Sequence, residues 1–154
     1  TEEVSVMAYD PRTGTIRSRT LSLTYEIPVS KIAKFWEALG EGKVLAVRCR
    51  KCGRRMFPPQ AVCDRCYSDD LEWFEIKSVG EVIAFTHIVV RPASFQENPV
   101  YTPAIAEFKE EGVRVLAWIA PGVPKRAIKV GMKVRVEGRV TEEGRRTWFL
   151  VPAE

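Results

Sequence analysis

All four cysteines of this 154-residue chain fall within one stretch of 18, as Cys49-Arg-Lys-Cys52 and, ten residues further on, Cys63-Asp-Arg-Cys66. Two residues between the cysteines of a pair allow both sulfurs to reach one metal ion. Two such pairs complete a closed tetrahedral shell of thiolates, so the spacing predicts a zinc ribbon. Gly53, directly after the first pair, suits a tight turn that favours a positive φ. Two other readings compete. A pair of disulfides is disfavoured because C-x2-C loops are strained as bridges and nothing in the chain marks it as secreted. Iron uses the same four ligands, and soft thiolate sites accept both metals, so zinc and iron stay open on spacing alone. With four sulfurs on the ion no position is left for a substrate. One structural Zn2+ on Cys49, Cys52, Cys63 and Cys66 is the expectation.

A segment of about 25 residues cannot bury a sufficient core unaided, so the ribbon needs its metal. Binding there supplies folding free energy on the order of 10 kcal/mol at neutral pH. Hydrophobic content of 45% is ordinary for a globular protein. No apolar run approaches the ~20 residues of a membrane span and no signal segment opens the chain, so no membrane role and a cytoplasmic location are expected. The net charge of +4 is unevenly spread. Residues 43–66 hold seven basic side chains against one acid, Asp64, and the rest of the chain sums to −2. This basic ribbon either meets a polyanionic partner or is a solvated surface offsetting the charge of the thiolates.

Along the chain, Asp10-Pro-Arg-Thr-Gly14 carries turn signals for a loose hairpin. Thr20 to Ile27 alternates and predicts a strand that Pro28 ends. Ser30 is placed to cap a helix over about 31–39, with Ile32, Phe35, Trp36 and Leu39 on one face and Gly40 and Gly42 at its end. That face either packs on the chain's own core or docks against a partner through Phe35 and Trp36. Lys43–Arg48 and Leu71–Ile76 read as strands entering and leaving the ribbon, with Met56-Phe57-Pro58-Pro59 crossing it. Trp73–Val90 is too long for a simple flat strand and reads as a long bent one that Gly80 interrupts, as a bulge or a bend would. Ala104–Phe108 and Val113–Ile119 flank a hairpin turn at Lys109-Glu-Glu-Gly112. Pro121–Lys129 is a connector with one helical turn. Met132–Thr141 alternates, with Val134, Val136, Gly138 and Val140 inward, and Thr147–Val151 is the last strand. Five strands, a long bent first one and a connector between the third and fourth predict an OB-fold barrel, with a small sandwich as the other solution. The fold class is thus mainly β: a short N-terminal strand and helix, a rubredoxin-like zinc ribbon and a C-terminal five-stranded OB barrel. The expected divisions are 1–42, 43–71 and 72–154.

Catalytic chemistry finds little footing. The one histidine, His87, lies in a predicted strand, where a packed or hydrogen-bonded role is usual, and the thiols are committed to metal. Glu110-Glu111 and Glu142-Glu143 fall in turns, where solvated charge is the default. Gly-rich phosphate loops and nucleophile elbows are missing from the sequence. A binding or scaffolding protein is therefore expected rather than an enzyme. One version binds nucleic acid, with Lys133, Arg135 and Arg139 tracking phosphate and Phe85, Phe95, Tyr101 and Trp118 stacking on bases.

The order of parts resembles the two-domain zinc-ribbon/OB-fold proteins associated with acyl-CoA enzymes. The resemblance is carried by Ile27-Pro-Val29 before the helix with Phe35-Trp36, and by Gly42 to Gly53 through the first cysteine pair. Phe57-Pro58-Pro59, Cys63 to Cys66, Glu72-Trp73, Gly80 and Val130-Gly131-Met132-Lys-Val134 continue it. It spans about residues 25–152. The resemblance implies a non-catalytic partner of thiolases that bridges a thiolase to hydroxymethylglutaryl-CoA synthase, with an OB domain facing an acyl-CoA or its enzyme. The first 20 residues depart from it, reading as strand and turn rather than as a long helix. Under it, Lys43, Arg48, Lys51, Arg54 and Arg55 are candidates for the phosphates of coenzyme A or for an acidic patch on a partner; charge and position, not a motif, select them.

Overall fold

Alternation over residues 133–140 buries Val134, Val136 and Gly138 while their neighbours face outward, the pattern of a barrel wall. The computed structural model describes residues 8–17, 24–91, 95 and 100–153. Within these, β1 (Ala8–Asp10) and β2 (Thr15–Arg17) form the N-terminal hairpin, closed by the Gly14 amide donating to the Asp10 carbonyl. Helix α1 (Ala33–Gly40) follows. Strands β3 (Leu45–Cys49), β4 (Arg55–Met56) and β5 (Leu71–Glu75) make an antiparallel ribbon sheet in the order β4-β3-β5. Strands β6 (Gly80–Phe85), β7 (Pro103–Phe108), β8 (Val113–Ile119), β9 (Lys133–Val140) and β10 (Arg146–Pro152) close a barrel in the order β10-β8-β7-β6-β9. Closure uses the antiparallel β6–β9 pair and a parallel contact of β10 with β8, Phe149 opposite Trp118. This is the OB arrangement, and the connector supplies its single turn of 3-10 helix at Lys125–Ala127.

Four sequence expectations require correction. The strand expected over Thr20–Ile27 lies partly outside the described residues, and residues 24–29 form no strand. Tyr25 and Ile27 are 78% and 77% exposed, because among the described residues no strand pairs with that stretch. Ser30 does not cap the helix with its side chain; Ser30–Ile32 is a 3-10 turn, and α1 begins after Ile32. Trp73–Val90 is two strands in two sheets, since β5 pairs with β3 in the ribbon while β6 pairs with β7 and β9. The interruption expected at Gly80 is this break, since residues 76–79 are not strand and Gly80 opens β6; the bulge lies further on, between Val82 and Ala84. Gly80 also answers a close approach, as a Cβ there would stand 2.8 Å from the buried Phe108 ring. Val140 is 50% exposed, as β9 runs past the barrel's packed interior.

Two cores result. One joins the barrel interior to α1 through Phe35, Leu39, Val82, Phe108, Val134 and Leu150 and takes in Leu45 and Ala46 from the start of β3; the other lies around the cysteines and is built from Val47, Cys49, Met56 and Cys63. The helix seats on the barrel at a glycine. A Cβ on Gly138 would lie 2.9 Å from both the Cα and the carbonyl oxygen of Leu39, and the Gly138 amide donates to the Gly42 carbonyl at 3.1 Å.

Candidate metal centre and the ribbon–barrel junction

Each cysteine pair sits on a knuckle of the same construction. In the first, the Cys49 amide donates to the Arg54 carbonyl and the Gly53 amide returns to the Cys49 carbonyl at 2.8 Å. In the second, the Cys63 amide donates to the Ser68 carbonyl and the Tyr67 amide returns to the Cys63 carbonyl at 3.0 Å. The residue after the second cysteine of each pair has positive φ, +73° at Gly53 and +57° at Tyr67. The sequence announces the first through its glycine and conceals the second behind a tyrosine.

The knuckles bring the four sulfurs within 4.8 Å of one another, with Cys49–Cys66 and Cys52–Cys63 at 3.5 Å. A tetrahedral ion with metal–sulfur bonds of about 2.3 Å has ligand edges of about 3.8 Å, so the donor set fits. The cysteines are free rather than disulfide-bonded. Burial opposes ionisation of Cys63, yet the Arg65 and Cys66 amides and the neighbouring thiols bring it down to about 7. Cys66 accepts the Ser68 amide, which favours its thiolate, but burial and the three surrounding sulfurs push it up to about 12. Four thiols this close resist joint ionisation, and a divalent cation among them is what stabilises the full set of thiolates.

The aromatic face of α1 is resolved in favour of the chain's own core. Phe35 is 2% exposed, which removes it as a docking residue, while Trp36 is half-buried. Phe35 makes edge contacts with Trp36, with Phe57 of the ribbon and with Trp148 of the barrel, and Phe57 meets Trp148 at 5.7 Å. Helix, ribbon and barrel thus meet in one aromatic cluster. Arg146 ties the same place by donating to the Trp36 carbonyl at 2.6 Å.

A second tie was invisible in the sequence. Glu111 does not wave in solvent at its hairpin turn. Its carboxylate accepts the backbone amides of Lys77 and Ser78, both at 2.9 Å, and the Ser78 hydroxyl, fastening the β7–β8 turn to the linker between ribbon and barrel. Partial burial raises the pKa of this carboxyl, but the hydrogen bonds from Ser78 and Lys77 outweigh it and hold the group below its ordinary value.

The five candidate phosphate-binding cations do not form one cluster. Lys43 pairs with Glu41 at 2.7 Å, which lowers the Glu41 pKa and raises that of Lys43. Arg48 lies on the exposed face of β3 and Lys51 at the knuckle tip. Arg54 and Arg55 do share a groove between ribbon and barrel, together with Lys109 and Arg114, which the sequence reading did not single out. Of the features suggested for nucleic acid, Lys133 pairs with Glu81, Arg135 donates to the Lys77 carbonyl and Arg139 pairs with Glu137. Tyr101 and Trp118 stack on each other at 4.0 Å, so each covers a face of the other. His87 shares a 2.7 Å hydrogen bond with the hydroxyl of buried Thr102, as a structural histidine does. Among the described residues no helix is long and apolar enough to cross a membrane.

Comparison with known proteins agrees with this architecture. Residues 36–72 match the family described as the ChsH2 rubredoxin-like zinc ribbon domain, and residues 73–139 that described as the ChsH2 C-terminal OB-fold domain. A DUF35 domain-containing scaffold protein of Methanocaldococcus jannaschii is 28% identical over 127 residues, covering 80% of this chain and 89% of its own. A protein of the same description from Pyrococcus furiosus is 29% identical over 114 residues, covering 73% of this chain and 82% of its own. Among solved structures, a chain of the Ltp2-ChsH2(DUF35) aldolase superposes with a TM-score of 0.65 at 24% identity, over 79% of this chain and 94% of that one. A Sulfolobus solfataricus protein of the DUF35 family, of unknown function, gives 0.53 at 19% identity, over 81% and 92%. These two likenesses speak to the fold. With ribbon and barrel matched in succession over residues 36–139, the chain belongs to the ChsH2 family of zinc-ribbon and OB-fold proteins.

Proposed function

We propose that this chain is a non-catalytic accessory protein that holds acyl-CoA enzymes together, with a thiolase and hydroxymethylglutaryl-CoA synthase as the bridged pair, in the cytoplasm. The observation that carries the reading is that two curated relatives, matched over most of their own lengths, are named scaffold proteins. The chain's own chemistry is consistent with it. Its four thiols form one closed cluster suited to a single structural zinc ion, and its histidine is tied to Thr102. Under this reading the divisions 1–42, 43–71 and 72–154 act as one platform, whose described residues meet at the Phe35–Phe57–Trp148 cluster. Trp36, half-buried beside that cluster, is the member of the aromatic pair with surface left to meet a partner. The nucleic-acid alternative has less behind it, since its cations are paired within the chain and its best rings stack on each other.

Reconstitution tests the proposal. The coupled flux from acetyl-CoA through purified thiolase and synthase is measured with and without this protein, and the three are run together on a sizing column. Co-elution and a flux that rises with the third chain until it is stoichiometric are expected. Unchanged flux with three separate peaks would remove the assignment.

A further inference from the structure

The turn between β7 and β8 faces β4 of the ribbon across an open groove of about 680 Å³. Four cations, Arg54, Arg55, Lys109 and Arg114, line it against two carboxylates, Asp64 and Glu107. Both carboxylates are already answered. Asp64 takes a two-pronged contact from Arg54, at 3.1 Å on each oxygen, and Glu107 takes Arg114 at 3.0 Å. Arg55 and Lys109 remain, and among the described residues neither forms an ion pair; the acid that feels Lys109, Glu81, is itself paired with Lys133 at 2.7 Å. Arg55 is held nevertheless: its Nη1 donates to the Glu110 carbonyl at 3.0 Å, and its guanidinium lies over Gly112, where a Cβ would come within 3.1 Å. Its cross-strand neighbour on β3 is Arg48, whose other neighbour across the sheet is Glu72, so the groove-side guanidinium keeps its charge while the acid answers Arg48. The groove lining thus carries a net surplus of positive charge over the buried apolar side chains of Met56, Phe108 and Val113. Low-dielectric walls beneath a groove strengthen the attraction it exerts on an anion.

We infer that this groove is a phosphate site, in which the fixed guanidinium of Arg55 and the ammonium of Lys109 take a phosphate or diphosphate group of a small molecule. A guanidinium supplies paired donors and an ammonium a compact charge, the two complements a phosphate oxygen set uses. The site spans ribbon and barrel, so it exists only when both are folded and joined. It stands on the groove alone and holds whichever enzymes the chain assembles.

Titration calorimetry of the zinc-loaded protein with inorganic pyrophosphate at low salt tests it, alongside amide shift mapping. Binding is expected, with shifts concentrated at residues 54–57 and 107–114. Lys109→Ala changes an exposed turn residue whose side chain makes no hydrogen bond among the described residues and is expected to weaken binding about tenfold, the effect of losing one charge-assisted hydrogen bond. Lys125→Ala removes the same charge from the remote connector and is expected to leave affinity unchanged. No heat at millimolar pyrophosphate, or equal weakening by the two variants, would overturn the site. A single-stranded oligonucleotide that binds at the same residues at least tenfold more tightly than pyrophosphate would overturn the small-molecule assignment.

Discussion

At the scale of single residues, the two knuckles are the same device made from different amino acids. Gly53 adopts its positive φ at no steric cost, whereas Tyr67, 82% exposed, adopts +57° without any packing reward for its ring. A left-handed residue with a side chain costs about 1–2 kcal/mol, partly offset on replacement by the roughly 0.5–1 kcal/mol of extra backbone entropy that glycine loses on folding. Tyr67→Gly is therefore expected to stabilise the metal-loaded protein by up to about 1 kcal/mol, and Gly53→Ala to destabilise it by about 1–2 kcal/mol, both read from thermal melts. Shifts of the same sign would mean that the knuckles are not equivalent. The cysteine spacing made the metal centre legible from four letters, because the ligands are local in sequence. Glu111 was illegible for the opposite reason: its hydrogen bonds reach back 33 and 34 residues, and a glutamate in a turn looks the same whether or not it is used. Because its folded pKa is depressed, its contribution is full above its ordinary value of 4.5 and is lost as pH falls through the lower folded value. Glu111→Gln should be less stable than wild type at pH 7, with the gap narrowing as both are acidified in a urea-unfolding series. A gap that stays constant down to pH 3 would deny the carboxylate this role.

At the scale of elements, α1 is a lid on one end of the barrel, and its fit depends on the absence of a side chain on β9. Gly138→Ala places a methyl 2.9 Å from the backbone of Leu39, where nothing flexible can yield. Overpacking of this kind costs about 1–3 kcal/mol, and the lost Gly138–Gly42 hydrogen bond adds to it. A lower urea midpoint and a weaker tryptophan signal from the Phe35–Trp36–Trp148 cluster are expected; an unaltered midpoint would mean that the helix is not seated there. In sequence, Gly138 read only as an inward position of an alternating strand, which was right but incomplete. Barrel strands β7 to β10 were legible because each is a short period-two run with glycine or proline close by at its ends. The ribbon-to-barrel crossing was not, because a continuous run of β-forming residues from Trp73 onward does not reveal that its two halves pair with different sheets.

At the scale of the molecule, the ribbon has a small core of its own around the cysteines, but Leu45 and Ala46 of β3 pack in the barrel's core, and the two units share the aromatic cluster and the Glu111 tie. Cys52→Ser, or a strong chelator, is expected to release the zinc and unfold residues 43–71. The barrel should still melt cooperatively, at a lower temperature because Phe57 and the linker no longer brace it. Stoichiometric zinc and an unchanged melt in Cys52→Ser would show that the cluster does not hold the metal. The seat of α1 carries a further consequence, for the order in which the chain acquires its shape during synthesis. The helix packs on Gly138 and Trp148, and its Trp36 carbonyl waits for Arg146, 110 residues downstream. The ribbon can close once Glu75 has left the ribosome, but α1 emerges long before the strands that cover it. A nascent chain halted at Thr141 should therefore present Phe35 and Leu39 to proteases and chaperones, and lose that sensitivity only when β10 has been made.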